Sequence, residues 1–179
     1  MKLAVELFFD EETERKLLHL AERIAAEGLN TKYFEWKTRP HVTLAIFDSE
    51  DEEACIERIK SFAKDREALP AYIGSVGMFT DTKTIFASPV MTAPMYQFQR
   101  ELHGYFDGFD TRGYEWYLPD RWVPHCALAL MSEDDEELFY KACDLVLREF
   151  EKINGKFSSI GLVKITFPVE EIFVTGLCS

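Results

Sequence analysis

The chain has 179 residues, 47% of them hydrophobic, with 32 acidic side chains against 20 basic ones and a net charge of −12. That is enough for one domain with a sizeable core. It excludes a long nucleic-acid duplex as partner, because such binding runs on basic patches; a small anion in a local groove stays compatible, because net charge does not describe a site.

No apolar run approaches the roughly 20 residues that span a bilayer, so no membrane partner is expected. The opening MKLAVELFFDEE is not expected to be a signal peptide, since Glu6 breaks its apolar stretch and an acidic run ends it. The four cysteines (Cys55, Cys126, Cys143, Cys178) have no CxxC spacing and no nearby histidine pair. They read as reduced thiols of a cytoplasmic protein, without a zinc site.

Residues 2–9 read as a strand. Asp10–Glu27 reads as a helix with Leu17, Leu18, Ala21, Ile24 and Ala25 on one stripe and Gly28 as its stop. A strand near Lys32–Trp36 is expected next, then a strand over Pro40–Phe47. Ser49 is expected to cap the following helix, with Glu50 to Glu53 in its first turn and Ile56, Ile59, Phe62 and Ala63 buried. Strands over 69–79 and 83–90 follow, then a helix from Pro94 to Asp107 carrying Phe98, Leu102 and Tyr105. The stretch Gly108–Trp122 is irregular. A strand from Pro124, a helix over Asp134–Glu151 with Leu138, Ala142, Leu145 and Val146 inward, and strands over 157–167 and 170–177 complete the chain. The acid clusters at 48–53 and 132–137 lack the ligand spacing and glycine of a calcium loop, and helix-start electrostatics accounts for them.

One phrase occurs twice. Residues 40–47 read PHVTLAIF and residues 124–131 read PHCALALM, at a constant offset of 84 positions. The offset also relates Asp51–Glu53 to Asp135–Glu137. The expected organisation is a single domain over 1–179, built as two pseudo-symmetric lobes with the repeat around 40–54 and 124–138. Strand alternation sends Val42, Leu44 and Ile46 to one face and His41, Thr43 and Ala45 to the other. In the second copy Cys126, Leu128 and Leu130 oppose His125, Ala127 and Ala129. Pro40 and Pro124 cannot donate to a ladder, so each histidine should start a strand near a sheet edge.

Two imidazoles facing one phosphodiester can act as general acid and general base near neutral pH, with no metal or cofactor. Thr43 can donate to a phosphoryl oxygen. A single histidine beside a proline is usually structural, but shared packing needs do not place histidine twice on the polar face. His19 and His103, on helices, read as surface residues. Tyr114, Trp116, Tyr117 and Trp122 form a pool from which a base-stacking wall could be drawn. Core packing is the alternative for each, and Trp122 can serve simply as an anchor.

PHVTL and WVPHCAL resemble the paired His-x-Ser/Thr motifs of the two-histidine phosphoesterases, the 2′-5′ RNA ligase and cyclic nucleotide phosphodiesterase group. LFFDEETERKLLHLA resembles that family's first strand and helix, GSVGMFTDTKTIFASPV its central hairpin, and QFQRELHGYF the helix before the second motif. The resemblance implies an α+β, duplicated bilobal fold, with two antiparallel sheets forming a central groove and helices outside. It further implies metal-independent chemistry on 2′,3′-cyclic phosphates or 2′-5′ linkages, with His41 and His125 as the acid–base pair. The chain departs from the pattern at Ala127, where the family has Ser or Thr. Losing a hydrogen bond to a charged group costs roughly 1.5–3 kcal/mol, about one to two powers of ten in rate. Arg39 and Arg121, just before each motif, are candidate replacement donors, with exposed solubilising arginines as the alternative.

The expected function is therefore a cytoplasmic, monomeric phosphodiesterase acting on a small nucleotide or RNA terminus. The alternative is a nucleotide- or RNA-end-binding module with weakened catalysis. A cysteine hydrolase using Cys126 fits poorly, since alternation turns Cys126 away from His125.

Overall fold

The opening apolar run forms strand β1 (Lys2–Phe9), buried from Leu3 to Phe9, in a computed structural model that describes residues 1–49, 51–131 and 136–178. Glu50 and residues 132–135 lie outside the described residues, and with them parts of both acidic runs, of the second repeat and of the expected start of the last helix.

Asp10 turns the chain into helix α1 (Glu11–Ala26). Its carboxylate accepts the Thr13 amide at 3.0 Å, and Glu11, Glu12 and Glu14 occupy the positive end of the dipole. Leu17, Leu20, Ala21 and Ile24 are buried, and Gly28 follows at φ +68°, a conformation that favours glycine. The expected strand at Lys32–Trp36 is instead one helical turn, α2 (Lys32–Glu35), whose Phe34 and Glu35 amides donate to the Thr31 carbonyl. Aromatic enrichment favours strands, but of Tyr33, Phe34 and Trp36 only Tyr33 is fully buried, and a single turn aims one ring inward.

The remaining elements are β2 (His41–Asp48), α3 (Glu52–Ala63), β3 (Leu69–Phe79), β4 (Thr84–Pro89), α4 (Ala93–Tyr105), a 3-10 turn (Glu115–Tyr117), β5 (Cys126–Leu130), α5 (Glu136–Glu149), β6 (Ile153–Lys164) and β7 (Glu170–Gly176). The cap of α3 is Asp51, which accepts the Ala54 amide at 2.9 Å. Ser49, the expected cap, accepts the Asp51 amide one step outside.

The fold is α+β with antiparallel strands. The two sheets expected from the resemblance are one: all seven strands join in the order β2-β1-β6-β3-β4-β5, with β7 also paired to β6. β6 is long enough to serve both halves. Its residues Phe157–Lys164 pair with β1, and Ile153–Phe157 pair with β3.

The offset of 84 is written into the register. At the sheet centre Ala71 pairs with Gly155. β2 carries an extra residue at Leu44 and β5 carries one at Leu128. β3 carries one at Gly74 and β6 carries one at Ser158. Bulges re-aim the residues beyond them, and here they overturn simple alternation. Leu44 and Ala45 both enter the core, as do Leu128 and Ala129. Ile46, expected on the greasy face, is buried outside that cluster, and Leu130 is only half-buried. β1 sets the frame: Leu3, Val5, Leu7 and Phe9 face the core with residues of α1, α3, α4 and α5. Ala4, Glu6 and Phe8 face the other way, and register puts His41 beside Phe8 and Thr43 beside Glu6.

Candidate active site

β2 and β5, the histidine strands, are the two ends of the strand order. β2 begins at His41, and β5 begins one residue after His125, as the prolines require. Their outer edges are covered by side chains rather than left open. The Trp122 indole N–H donates to the Thr43 carbonyl at 2.9 Å. Gln99 Nε2 donates to the Leu44 carbonyl at 3.0 Å and to the Tyr117 carbonyl at 2.7 Å. On β5, Asn30 Nδ2 donates to the Leu130 carbonyl at 3.0 Å. The Cys126 thiol lies against the His41 backbone amide, so the two edges meet.

This arrangement corrects the placement of His103. Its Nε2 bonds the Leu44 carbonyl at 3.1 Å, tying α4 to the bulge of β2, and burial lowers its pKa. His19 is exposed, 3.8 Å from Glu22.

The two active-site candidates are held alike. His41 Nδ1 sits 2.6 Å from the Arg39 carbonyl and His125 Nδ1 sits 2.7 Å from the Val123 carbonyl, in each case two residues upstream. A carbonyl only accepts, so each neutral ring carries its proton on Nδ1 and presents the Nε2 lone pair. Burial lowers both pKa values, and the charge of His41 further lowers that of His125, which brings the rings within electrostatic reach of one another.

Their surroundings differ. His41 Nε2 lies 3.3 Å from Glu6 Oε1, a carboxyl only 8% exposed. Burial, and then the nearby Glu171 charge, raise the Glu6 pKa to about 8. His125 is flanked by rings: Phe79 edge-on at 4.8 Å, Phe86 at 5.5 Å and Tyr117 at 6.4 Å. Register explains the contrast. Glu6 stands beside Thr43 in the first half, and Phe86 stands beside Ala127 in the second. Glu6 is a further candidate that the sequence motifs do not mark; its signal is a single carboxylate at an inward position of LAVELFF.

Of the expected binding residues, Thr43 is buried on the histidine face. Tyr117 is half-buried near His125, and the charge of Glu6 reaches its hydroxyl. Arg39 is engaged: it forms a bidentate pair with Glu14 at 2.9–3.1 Å, reaches Glu171 at 3.5 Å and stacks on Phe8. Its positive charge is thereby met by two carboxylates. Arg121 is exposed over Trp116, itself 72% exposed. Tyr114 points elsewhere, donating to Asp48 at 3.2 Å beneath Lys2. Trp122 is the anchor described above. Cys126 lies in the core, its thiol pushed up to about 12 by burial. Among the described residues, no group of three or more His, Cys, Asp or Glu side chains could hold a metal ion, and no helix is long and apolar enough to cross a membrane.

No curated protein matches the chain in sequence. Solved structures share its fold. The crystal structure of E. coli LigT complexed with 3′-AMP superposes with a TM-score of 0.59 at 10% identity, covering 99% of this chain and 98% of that one. TT0787 of Thermus thermophilus gives 0.58 at 14% identity with the same coverage. E. coli LigT complexed with NADP+ gives 0.57 at 11% identity, again over 99% and 98%. The model of the 2′-5′ RNA ligase superfamily matches residues 8–166, from the end of β1 through both histidine motifs to the end of β6, and the chain belongs to that superfamily.

Proposed function

We propose that the protein is a phosphodiesterase that opens a 2′,3′-cyclic phosphate or a 2′-5′ linkage at a nucleotide or RNA end, with His41 and His125 as its acid–base pair. The observation that carries this reading is the matched pair of imidazoles: two edge strands brought together, each ring locked by an Nδ1 bond to a carbonyl, with Nε2 left for proton transfer and, at His41, set beside the Glu6 carboxyl. In the hydrolytic direction one Nε2 removes a proton from water as its oxygen attacks phosphorus. The other delivers a proton to the ribose oxygen as the P–O bond breaks. Thr43 is the donor for a phosphoryl oxygen. Tyr117, rather than Tyr114 or the exposed Trp116, is the aromatic best placed to flank a nucleoside. Membership of the superfamily supports the reaction class, and the nucleotide complexes of E. coli LigT support a nucleotide-sized ligand.

A binding module with weakened catalysis is the second reading, favoured by two observations. Ala127 supplies no hydroxyl where Thr43 has its counterpart, and Arg39 is held by Glu14 and Glu171. Incubating the protein with a panel of 2′,3′-cyclic nucleotides and 2′-5′ dinucleotides under excess chelator, alongside calorimetry, separates the two. Turnover that survives the chelator is expected. Binding without turnover selects the module, and neither binding nor turnover removes both.

A further inference from the structure

We infer that Glu6 is a third proton-handling residue of this site: a positioning residue that shares one proton with His41 and so makes the two histidines chemically unequal. The inference rests on the phosphodiesterase reading for its catalytic consequence, but not for the shared proton.

Glu6 Oε1 and His41 Nε2 are 3.3 Å apart, and both groups are sheltered, with side chains 8% and 21% exposed. The Nδ1 proton of His41 is committed to the Arg39 carbonyl, so the Nε2 lone pair faces the carboxyl. Two neutral groups facing one another, O–H to N, avoid two buried charges. Glu6 is turned away from the helices by its position on β1, opposite Gly161 of β6, where an added Cβ would meet the Phe173 carbonyl at 2.5 Å and the Phe8 ring at 2.9 Å.

The charged and titratable groups around the pair come from every neighbouring element. Glu171 on β7 disfavours the ionised carboxylate and Arg39 favours it, with Arg39 itself offset by Glu14 of α1. Tyr117, Tyr33 of α2 and Cys126 of β5 each feel the Glu6 charge and are neutral at physiological pH. His125 has Phe86 where His41 has Glu6, and among the described residues no carboxyl is paired with its Nε2.

The consequence is a division of labour. His125 is the base that takes the proton of water while the O–P bond forms. As the ribose oxygen approaches, the one proton of the pair moves from Glu6 onto His41 Nε2 and from there to the ribose oxygen while the P–O bond breaks, leaving a Glu6 carboxylate and a neutral His41; the pair then regains a proton from solvent, and His125 returns to solvent the proton it took from water. Loss of that proton sets the alkaline limit of activity.

The test is a titration of the histidine ring nitrogens by NMR in the wild type, Glu6→Gln and Glu171→Gln, paired with pH–rate profiles on a 2′,3′-cyclic nucleotide. In the wild type, the Glu6 carboxyl releases its proton at about 8, the His41 ring nitrogens sense that step, and the alkaline limb of kcat falls at the same pH. In Glu6→Gln that step vanishes from the His41 signals, the alkaline limb moves below the ordinary histidine value of 6.5, and KM changes less than twofold. In Glu171→Gln the midpoint near 8 moves to lower pH. The acidic limb and the His125 titration stay in place throughout. A His41 titration identical in the wild type and Glu6→Gln overturns the shared proton. An unmoved alkaline limb in an active Glu6→Gln overturns its catalytic role. If no cyclic nucleotide is turned over by the wild type, the phosphodiesterase reading fails and the NMR titration still decides the pair.

Discussion

Replacing Glu6 with glutamine keeps the shape of the side chain and removes its ionisation, and the effect on stability follows from the burial of the carboxyl. A carboxyl raised from 4.5 to about 8 keeps its proton in the folded protein across an interval in which the unfolded chain has released it. The folded state then binds more protons than the unfolded state, so wild-type stability falls as pH rises through that interval. At about 1.4 kcal/mol per pH unit, the penalty grows to roughly 4–5 kcal/mol by pH 8. His41 acts with the opposite sign, because its folded pKa is lowered and it contributes stability as pH rises toward 6.5. That contribution is complete by about pH 6.5, so it adds no further slope between pH 7 and 8, where the comparison is decided. Urea unfolding at pH 5, 6, 7 and 8 should show Glu6→Gln close to wild type at the acid end and more stable by several kcal/mol at pH 8. Parallel stability curves would refute the burial argument.

Ala127→Thr should raise kcat on a cyclic phosphate about ten- to a hundredfold, the worth of one hydrogen bond to a charged group; steady-state kinetics with no gain would dismiss the missing hydroxyl as the handicap. Trp122→Phe should cost about 1–3 kcal/mol in chemical denaturation, because it strands the buried Thr43 carbonyl. Gly161→Ala should cost a similar 1–3 kcal/mol through overpacking against the Phe173 backbone, read as a lowered melting temperature. Iodoacetamide should alkylate the exposed Cys178 before the buried Cys126, and mass spectrometry finding Cys126 modified first in the native protein would contradict its placement in the core.

Local signals carried much of this fold. Asp10, the acids after it and Gly28 bracket α1 because capping, dipole and left-handed backbone act within a few residues. The doubled PH phrase located both edge strands because proline constrains its own neighbourhood. What stayed hidden depends on partners far along the chain. β6 inserts between β1 and β3, which turns two expected sheets into one, and nothing local to Ile153–Lys164 states its neighbours. The bulges at Leu44 and Leu128 appear only when β2 and β5 are set against β1 and β4, so Ala45 and Ala129 were assigned to the wrong face. Arg39 looked available because its partners, Glu14 and Glu171, lie 25 and 132 residues away. Glu6 looked like an interruption in an apolar run until His41 was found beside it.

Paired imidazole catalysis is tested most directly by single-turnover hydrolysis of a 2′,3′-cyclic nucleotide by wild type, His41→Asn and His125→Asn, each shown to be folded by circular dichroism. The account predicts that either substitution slows the chemical step by about 10²–10⁴, the usual worth of a positioned acid or base. Wild-type rates in either folded variant would contradict it.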